Sequence, residues 1–306
     1  MTTRESGAGV QERSHEDGPP VPLGALIEAE QVGESRFRSP GRSDARSRTF
    51  GGTLVAQALL AAGRTVGAGR SPHSLHGHFL RPGEAAAPTE YRVTVVRDGA
   101  AYSTREVVAL QQGRATFALT ASFHVPEDGW EHQLPRLDAP APEDLPPLEE
   151  ATAGAAAAVR DWAARLPHRR TFDLRFAGDP ARVAAELGPG APRQRFWLRS
   201  RTPLPDDPLL HRCAVAYASD MLLLSTSLAP HASALTTGGV TAASLDHAVW
   251  FHAPARADDW LFYDQDSSWA GGGRALCHGR IFDRAGGLVA TVMQEAMIRR
   301  RGAARH

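Results

Sequence analysis

One acidic side chain stands out by its setting. Asp220 lies in the run His211–Leu224, HRCAVAYASDMLLL, and after Arg212 it is the only formally charged residue there. Small or apolar residues on nearly every side predict a helix buried all round rather than an amphipathic surface helix. A carboxylate in such a place costs free energy unless it is hydrogen-bonded or paired. On the residues alone two readings stay open: a cap or satisfied core acid, and a carboxylate held for chemistry.

Other groups compete for attention. Ser244, Asp246 and His247 stand close together and invite a Ser-His-Asp reading. However, no Gly-x-Ser-x-Gly elbow occurs in the chain, and in a strand Ser244 and Asp246 share a face while His247 points to the other. Asp246 and His247 are therefore expected to structure their strand. His76 and His78 share a strand face, with His73 nearby, which suggests a metal. The sequence offers them no convincing cysteine or carboxylate partner set, and no metal is expected. Trp250, Phe251 and Trp260 are expected in the core.

These groups must be positioned by a regular framework. Leu23–Glu30 predicts a short helix and Glu34–Arg38 a strand. The stretch from Thr49 to Val66, TFGGTLVAQALLAAGRTV, predicts a second buried helix opened by Gly51 and Gly52. Those glycines let the backbone approach a neighbour closely, and free N–H groups at a helix start can meet an anion or a carbonyl oxygen; tight helix–sheet packing is the other reading. Strands follow at 73–81, 91–97, 103–111 and 115–125, with turn signals at Asp98-Gly99 and Gln112-Gly113. Residues 134–147 are rich in Pro and Asp and predict a linker, and 148–166 an Ala-rich helix. Strands are then expected at 172–176 and 195–199, the buried helix from His211, and strands at 244–252, 260–264, 273–282 and 288–299.

The two halves repeat. Phe79 and Phe251 each precede a segment closing in Pro, at a separation of 251 − 79 = 172, and Ala118–Ser122 aligns on Ala290–Gln294 at the same offset. Tandem copies of one module, each an antiparallel sheet wrapped around a long apolar helix, bury helices that have no polar face. This is the α+β double hotdog architecture. The expected organisation is a disordered tail over residues 1–21, an N-terminal module over 22–133, a linker with a helix over 134–170 and a C-terminal module over 171–306.

Bulk properties narrow the function class. The chain has 306 residues, 34 basic and 34 acidic, and every basic one is Arg. A zero formal net charge gives no nucleic-acid or polybasic membrane footprint. No run of about 18 apolar residues is present, so no membrane span is expected. Cys213 and Cys277 make no disulfide framework, the N-terminus lacks an apolar signal core, and the chain ends Ala-Arg-His rather than in a peroxisomal Ser-Lys-Leu; a cytoplasmic protein is expected.

Several segments in order resemble the acyl-CoA thioesterase II family. They are FGG with AQAL, HS-x-H-x-x-FLRPG, the RDG turn, ASF and the Gly129–His132 run in the first half. In the second they are AYASD, DH-x-x-WFH and TV-x-QE. The resemblance runs from about Arg46 to the last strand. It implies hydrolysis of fatty acyl-CoA to free acid and CoA, no cofactor, and a homodimer or homotetramer. It also implies a site made of an Asp ending the second buried helix, a Thr just before Asp-His and a Gln in the last strand. Here these are Asp220, Ser244 and Gln294. Ser244 departs from the pattern, keeping the hydroxyl and losing the methyl that restricts its rotamer.

In physical terms, a thioester hydrolase must supply a positioned water, a group to take its proton and donors for the developing oxyanion. Asp220 would act as base, Ser244 and Gln294 would orient the water, and Gly51 and Gly52 are candidates for binding the substrate carbonyl. Two other classes stand beside this one: a hotdog enoyl-thioester hydratase or dehydratase, and a non-catalytic acyl-CoA-binding protein, against which the presence of both Asp220 and Gln294 argues.

Overall fold

The computed structural model of the chain describes residues 19–42, 48–231 and 239–301. The expected disordered tail, residues 1–21, lies almost wholly outside the described residues. The first half contains α1 (Leu23–Ile27), β1 (Glu30–Gly33), β2 (Arg36–Ser39), α2 (Gly51–Gly63), β3 (Ser71–Phe79), β4 (Thr89–Asp98), β5 (Tyr102–Gln111) and β6 (Arg114–His124). The second contains α3 (Leu148–Ala151), α4 (Ala157–Arg165), β7 (Phe172–Phe176), α5 (Ala181–Ala184), β8 (Arg193–Ser200), α6 (Pro208–Ser219), β9 (Val240–Ser244), β10 (Asp246–Phe251), β11 (Leu261–Gly271), β12 (Arg274–Asp283) and β13 (Leu288–Arg300).

Among the described residues, the strands form one sheet in the order β1-β2-β4-β5-β6-β3-β10-β13-β12-β11-β8-β7, with β9 also on β13. The halves join edge to edge where β3 pairs β10 antiparallel, Ser74 opposite Trp250, His76 opposite Ala248 and His78 opposite Asp246. Since 248 − 76 = 172, the repeat offset makes His76 and Ala248 equivalent, and a local twofold passes between them. α2 and α6 pack in one continuous apolar core with the inner faces of both sets of strands. From Gly52 to Ala62 α2 buries every residue but Thr53, and from His211 to Ser219 α6 buries every residue but Arg212. Each fully buried Leu or Val contributes about 1.5–3 kcal/mol. This is the tandem hotdog fold.

The final strands depart from the offset expected for them. Ala109 pairs with Phe117 and Ile281 with Ala290, so the connection is one residue longer in the second hairpin. Partners of the equivalent residues His78 and Trp250 are Ala118 and Thr291, an offset of 291 − 118 = 173. A one-residue slip exchanges the two faces of a strand. The counterpart of Gln294 is therefore Ala121, not Ser122.

Several elements differ from expectation in their bounds. The helix at Leu23 stops at Ile27, and the strand expected over Glu34–Arg38 is β2, which forms a hairpin with an additional strand, β1, ahead of it. The helix expected over 148–166 breaks between α3 and α4, where the Thr152 hydroxyl donates back to the Leu148 carbonyl at 2.9 Å and Gly154 follows. α6 begins earlier than His211, because Asp207 caps it by accepting the Leu209 N–H at 2.9 Å and Pro208 occupies the first helical position. It ends at Ser219 rather than Leu224. The strand expected over 244–252 is interrupted at Leu245, which leaves Ser244 on β9 and Asp246 on β10. Trp250 faces outward and is 40% exposed, unlike Phe251 and Trp260, which are buried. The linker lies on the outer face of the second half, where the Trp197 indole N–H donates to the Pro140 carbonyl at 2.9 Å and Leu145 packs on the Trp197, Trp260, Phe262 and Phe282 cluster.

Candidate active site

Asp220 is the C-terminal cap of α6, and the turn around it is fixed by side chains that reach into it. The buried Tyr263 hydroxyl donates to the Ser219 carbonyl at 2.5 Å and the Gln265 amide to the Met221 carbonyl at 2.7 Å. The Ser219 hydroxyl donates to the Ala216 carbonyl, so it accepts from Nε2–H of His247 at 2.7 Å. Leu222 completes the turn with φ of 61°, in the left-handed region that a branched side chain enters at a cost of about 1–2 kcal/mol. Carbonyls that a helix end leaves unpaired are thus satisfied, and the carboxylate is held in one orientation.

Gly51 and Gly52 open α2 directly against this carboxylate. The Gly52 N–H donates to Asp220 Oδ2 at 2.9 Å. A Cβ on Gly51 would stand 2.7 Å from the same oxygen and 2.9 Å from the Phe79 ring, and one on Gly52 would stand 2.4 Å from the Tyr217 carbonyl oxygen. Only glycine permits so close a junction of the two helices. The positive end of the α2 dipole also faces the carboxylate. Gly52 therefore spends its N–H on Asp220, and among the described residues no acceptor is seen for the Gly51 N–H.

The other oxygen of Asp220 meets the last strand. Gln294, fully buried on β13, donates from Nε2 to Asp220 Oδ1 at 2.7 Å and to Ser244 Oγ at 2.7 Å. Both amide hydrogens are used, and Ser244 accepts while keeping its own proton to give. Gln294 Oε1 is buried and, among the described residues, has no hydrogen-bond partner. The structure thus brings Asp220, Ser244 and Gln294 into one chain of hydrogen bonds, from positions spread over 74 residues. Burial pushes the Asp220 carboxyl up to about 6, against the opposing pull of the Gln294 and Gly52 donors.

The Ser-His-Asp alternative is not assembled. His247 is fully buried behind the turn, bonded to Ser219 and not to Ser244, and burial pushes it down to about 4, so it is neutral near pH 7. Asp246 Oδ1 accepts the Glu295 N–H at 2.7 Å and pins the strand interruption beside Gln294. Both residues structure their strand. Tyr263, Gln265 and Ser219 escaped the sequence reading. Tyr263 and Gln265 alternate on one strand face, and two buried polar residues at period two were the available signal.

A carboxylate partly protonated near neutral pH and a hydroxyl with a proton to donate, both held by one buried amide, can orient and deprotonate a water. No residue here is placed as an activated nucleophile with its own base.

Comparison with known proteins bears on this reading. The family model for the acyl-CoA thioesterase N-terminal domain matches residues 39–124, and that for the acyl-CoA thioesterase C-terminal domain matches residues 142–298. Mouse acyl-coenzyme A thioesterase 8 is 38% identical over 269 residues, covering 82% of this chain and 80% of its own. Acyl-CoA thioesterase 2 of Haemophilus influenzae is 34% identical over 280 residues, covering 90% of this chain and 96% of its own. The crystal structure of an acyl-CoA thioesterase II, TesB2 of Mycobacterium marinum, superposes with a TM-score of 0.75 at 40% identity, over 92% of this chain and 99% of that one.

Proposed function

The chain belongs to the acyl-CoA thioesterase II family and is an acyl-CoA thioester hydrolase, and from that premise we propose that Asp220, Ser244 and Gln294 carry the hydrolysis on a positioned water. The observation behind this reading is the single hydrogen-bonded chain from Gly52 through Asp220 and Gln294 to Ser244. Water donates to the Asp220 carboxylate, the Ser244 hydroxyl completes its orientation, and Gln294 holds both groups in place through its two amide hydrogens. As water attacks the thioester carbon, its proton passes to Asp220, and the carbonyl oxygen becomes an oxyanion facing the N-terminus of α2, where Gly51 offers an N–H. Collapse breaks the C–S bond and expels CoA thiolate. The proton held on Asp220 returns to the sulfur, and the free acid leaves. A carboxyl near 6 suits both transfers at neutral pH. Phe50 and Phe79, partly buried beside the glycines of α2, supply apolar surface near the proposed site.

The decisive experiment follows thiol release from medium-chain acyl-CoA with Ellman's reagent. Both cysteines, Cys213 and Cys277, are buried and their thiols pushed upward by burial, so the protein contributes little background. Wild type should release CoA, and Asp220→Asn should release it about 10²-fold or more slowly. Water addition to enoyl-CoA without CoA release would instead indicate a hydratase.

The same reading makes the protein a cytoplasmic homodimer or homotetramer, with residues 22–133 and 171–306 as its two modules. Among the described residues no helix is long and apolar enough to cross a membrane. Light scattering at micromolar concentration tests the assembly, and a strictly monomeric particle would overturn that part.

A further inference from the structure

The geometry points to a divalent transition-metal site at the junction of the two halves, held by His76, His78 and Asp246. His76 and His78 stand two apart on the outward face of β3, and Asp246 on β10 lies directly opposite His78. One ligand atom from each residue falls within 4.8 Å of the others. The sequence reading found no carboxylate for this histidine pair because the partner comes from 170 residues away, through the pairing of β3 with β10.

The donor arrangement matches coordination chemistry. His76 Nε2 and Asp246 Oδ2 are 3.1 Å apart. Two ligands on a tetrahedral ion with bonds of about 2.0–2.2 Å are separated by roughly 3.3–3.6 Å, so this edge lies within about half an ångström of its length in such a site. The His78 ring, its centroid 4.7 Å from that of His76, brings a nitrogen within 4.8 Å of the other two ligand atoms. Asp246 is pre-oriented, because its other oxygen accepts the Glu295 N–H at 2.7 Å, the outer-sphere bond that fixes a ligating carboxylate. An ion pair of His76 with Asp246 accounts for one imidazole only. Two imidazoles and a carboxylate favour zinc, cobalt, nickel or copper over magnesium or calcium. Both histidines are exposed, which leaves an entry path and room for water in the fourth position. Such an ion would join β3 to β10 across the two halves, one residue from Leu245 and thus beside the strand carrying Ser244. The site does not rest on the thioesterase reading.

Tag-free full-length protein, stripped with chelator, is titrated with Zn²⁺ by calorimetry and with Co²⁺ by visible absorption. One saturable equivalent per chain is expected, with ligand-field bands of bound Co²⁺ and a Tm rise on the order of 5 °C at about hundredfold excess of Zn²⁺ over Kd. His78→Ala and Asp246→Asn should each weaken binding about 100-fold, and the Asn retains an acceptor for the Glu295 N–H. His124→Ala, in the separate His73–His124 pair, should leave it unchanged. Absence of saturable binding overturns the proposal. So does unchanged binding in a folded His76→Ala/His78→Ala variant, which would place the ion elsewhere.

Discussion

The carboxylate of Asp220 accepts the backbone N–H of Gly52 at 2.9 Å, across 168 residues of chain. The acid at the end of one central helix is held by the first turn of the other. The proposed site therefore needs both halves, although Asp220, Ser244 and Gln294 all come from the second. A second half folded alone would present Asp220 without this donor.

That contact makes Gly51 a sensitive position. A Cβ there meets Asp220 Oδ2 at 2.7 Å and the Phe79 ring at 2.9 Å, so Gly51→Ala must displace the carboxylate or the ring. We expect kcat to fall about 10²-fold, the scale of a 1 Å misplacement of a reacting group, with the fold retained by circular dichroism. Gly52→Ala meets the Tyr217 carbonyl at 2.4 Å, which is backbone and cannot turn aside, so it should cost more in Tm than Gly51→Ala does. Equal kcat for Gly51→Ala and wild type would separate the glycine from the site.

The Asp220 carboxyl near 6 predicts both a rate profile and a stability profile. As a base it must be ionised, so kcat/KM should fall about tenfold per pH unit below that value. For stability, the folded-state value lies above the ordinary 3.8, so the folded chain holds the proton more tightly than the unfolded one. The resulting stabilisation is fully present below 3.8 and is lost as pH rises through about 6. Asp220→Asn should lower kcat about 10²-fold or more and remove this pH dependence, with a gain of up to about 3 kcal/mol above pH 7. Gln294 can turn its amide to offer Oε1 to the new Asn. An Asp220→Asn variant that hydrolyses acyl-CoA at the wild-type rate would reject the assignment.

Ser244 accepts one of the two Gln294 amide hydrogens at 2.7 Å. Ser244→Ala leaves that hydrogen unpaired at a fully buried residue, which should cost about 1–3 kcal/mol of stability. Turnover should slow yet persist, because Asp220 and Gln294 keep their bond. Ser244→Thr should preserve or raise kcat, since the added methyl restricts the rotamer. An acyl-enzyme adduct on Ser244 in the intact mass would replace the water mechanism with a covalent one.

Much of this arrangement is legible in the residues. The all-apolar helices around Gln57 and Val215 announce burial, and the Phe79–Phe251 offset announces the repeat and fits its edge-to-edge register. The ends of elements are less legible. Asp207 and Pro208 start α6 by local capping that the hydrophobic run obscures, and it ends at Asp220 where Tyr263 and Gln265, from a distant strand, take the Ser219 and Met221 carbonyls. The interruption at Leu245 is set by the register of β9 and β10 on β13, a tertiary fact. The same holds for Ala121, whose equivalence to Gln294 depends on one added residue in a hairpin connection.

That equivalence leaves the first half with an alanine where the proposed site has its glutamine, and it supports a last prediction. Where Gln294 pairs with Cys277 in the second half, Ala121 pairs with Arg105 in the first. The Arg105 guanidinium is buried at the end of α2. It donates to the Thr65 hydroxyl at 2.9 Å, to the Thr65 and Thr104 carbonyls at 3.0 Å, and pairs with Asp98 at 2.9 Å. It satisfies the end of α2 as Tyr263 and Gln265 satisfy the end of α6, and it stands opposite Ala121 in the register. Arg105→Met should leave buried carbonyls unpaired and destabilise the chain by on the order of 3 kcal/mol, read as a Tm drop of several degrees. kcat for acyl-CoA should not change, because the reacting groups lie around Asp220. A kcat loss of tenfold or more in folded Arg105→Met would show that the first half takes part in the chemistry beyond its glycines.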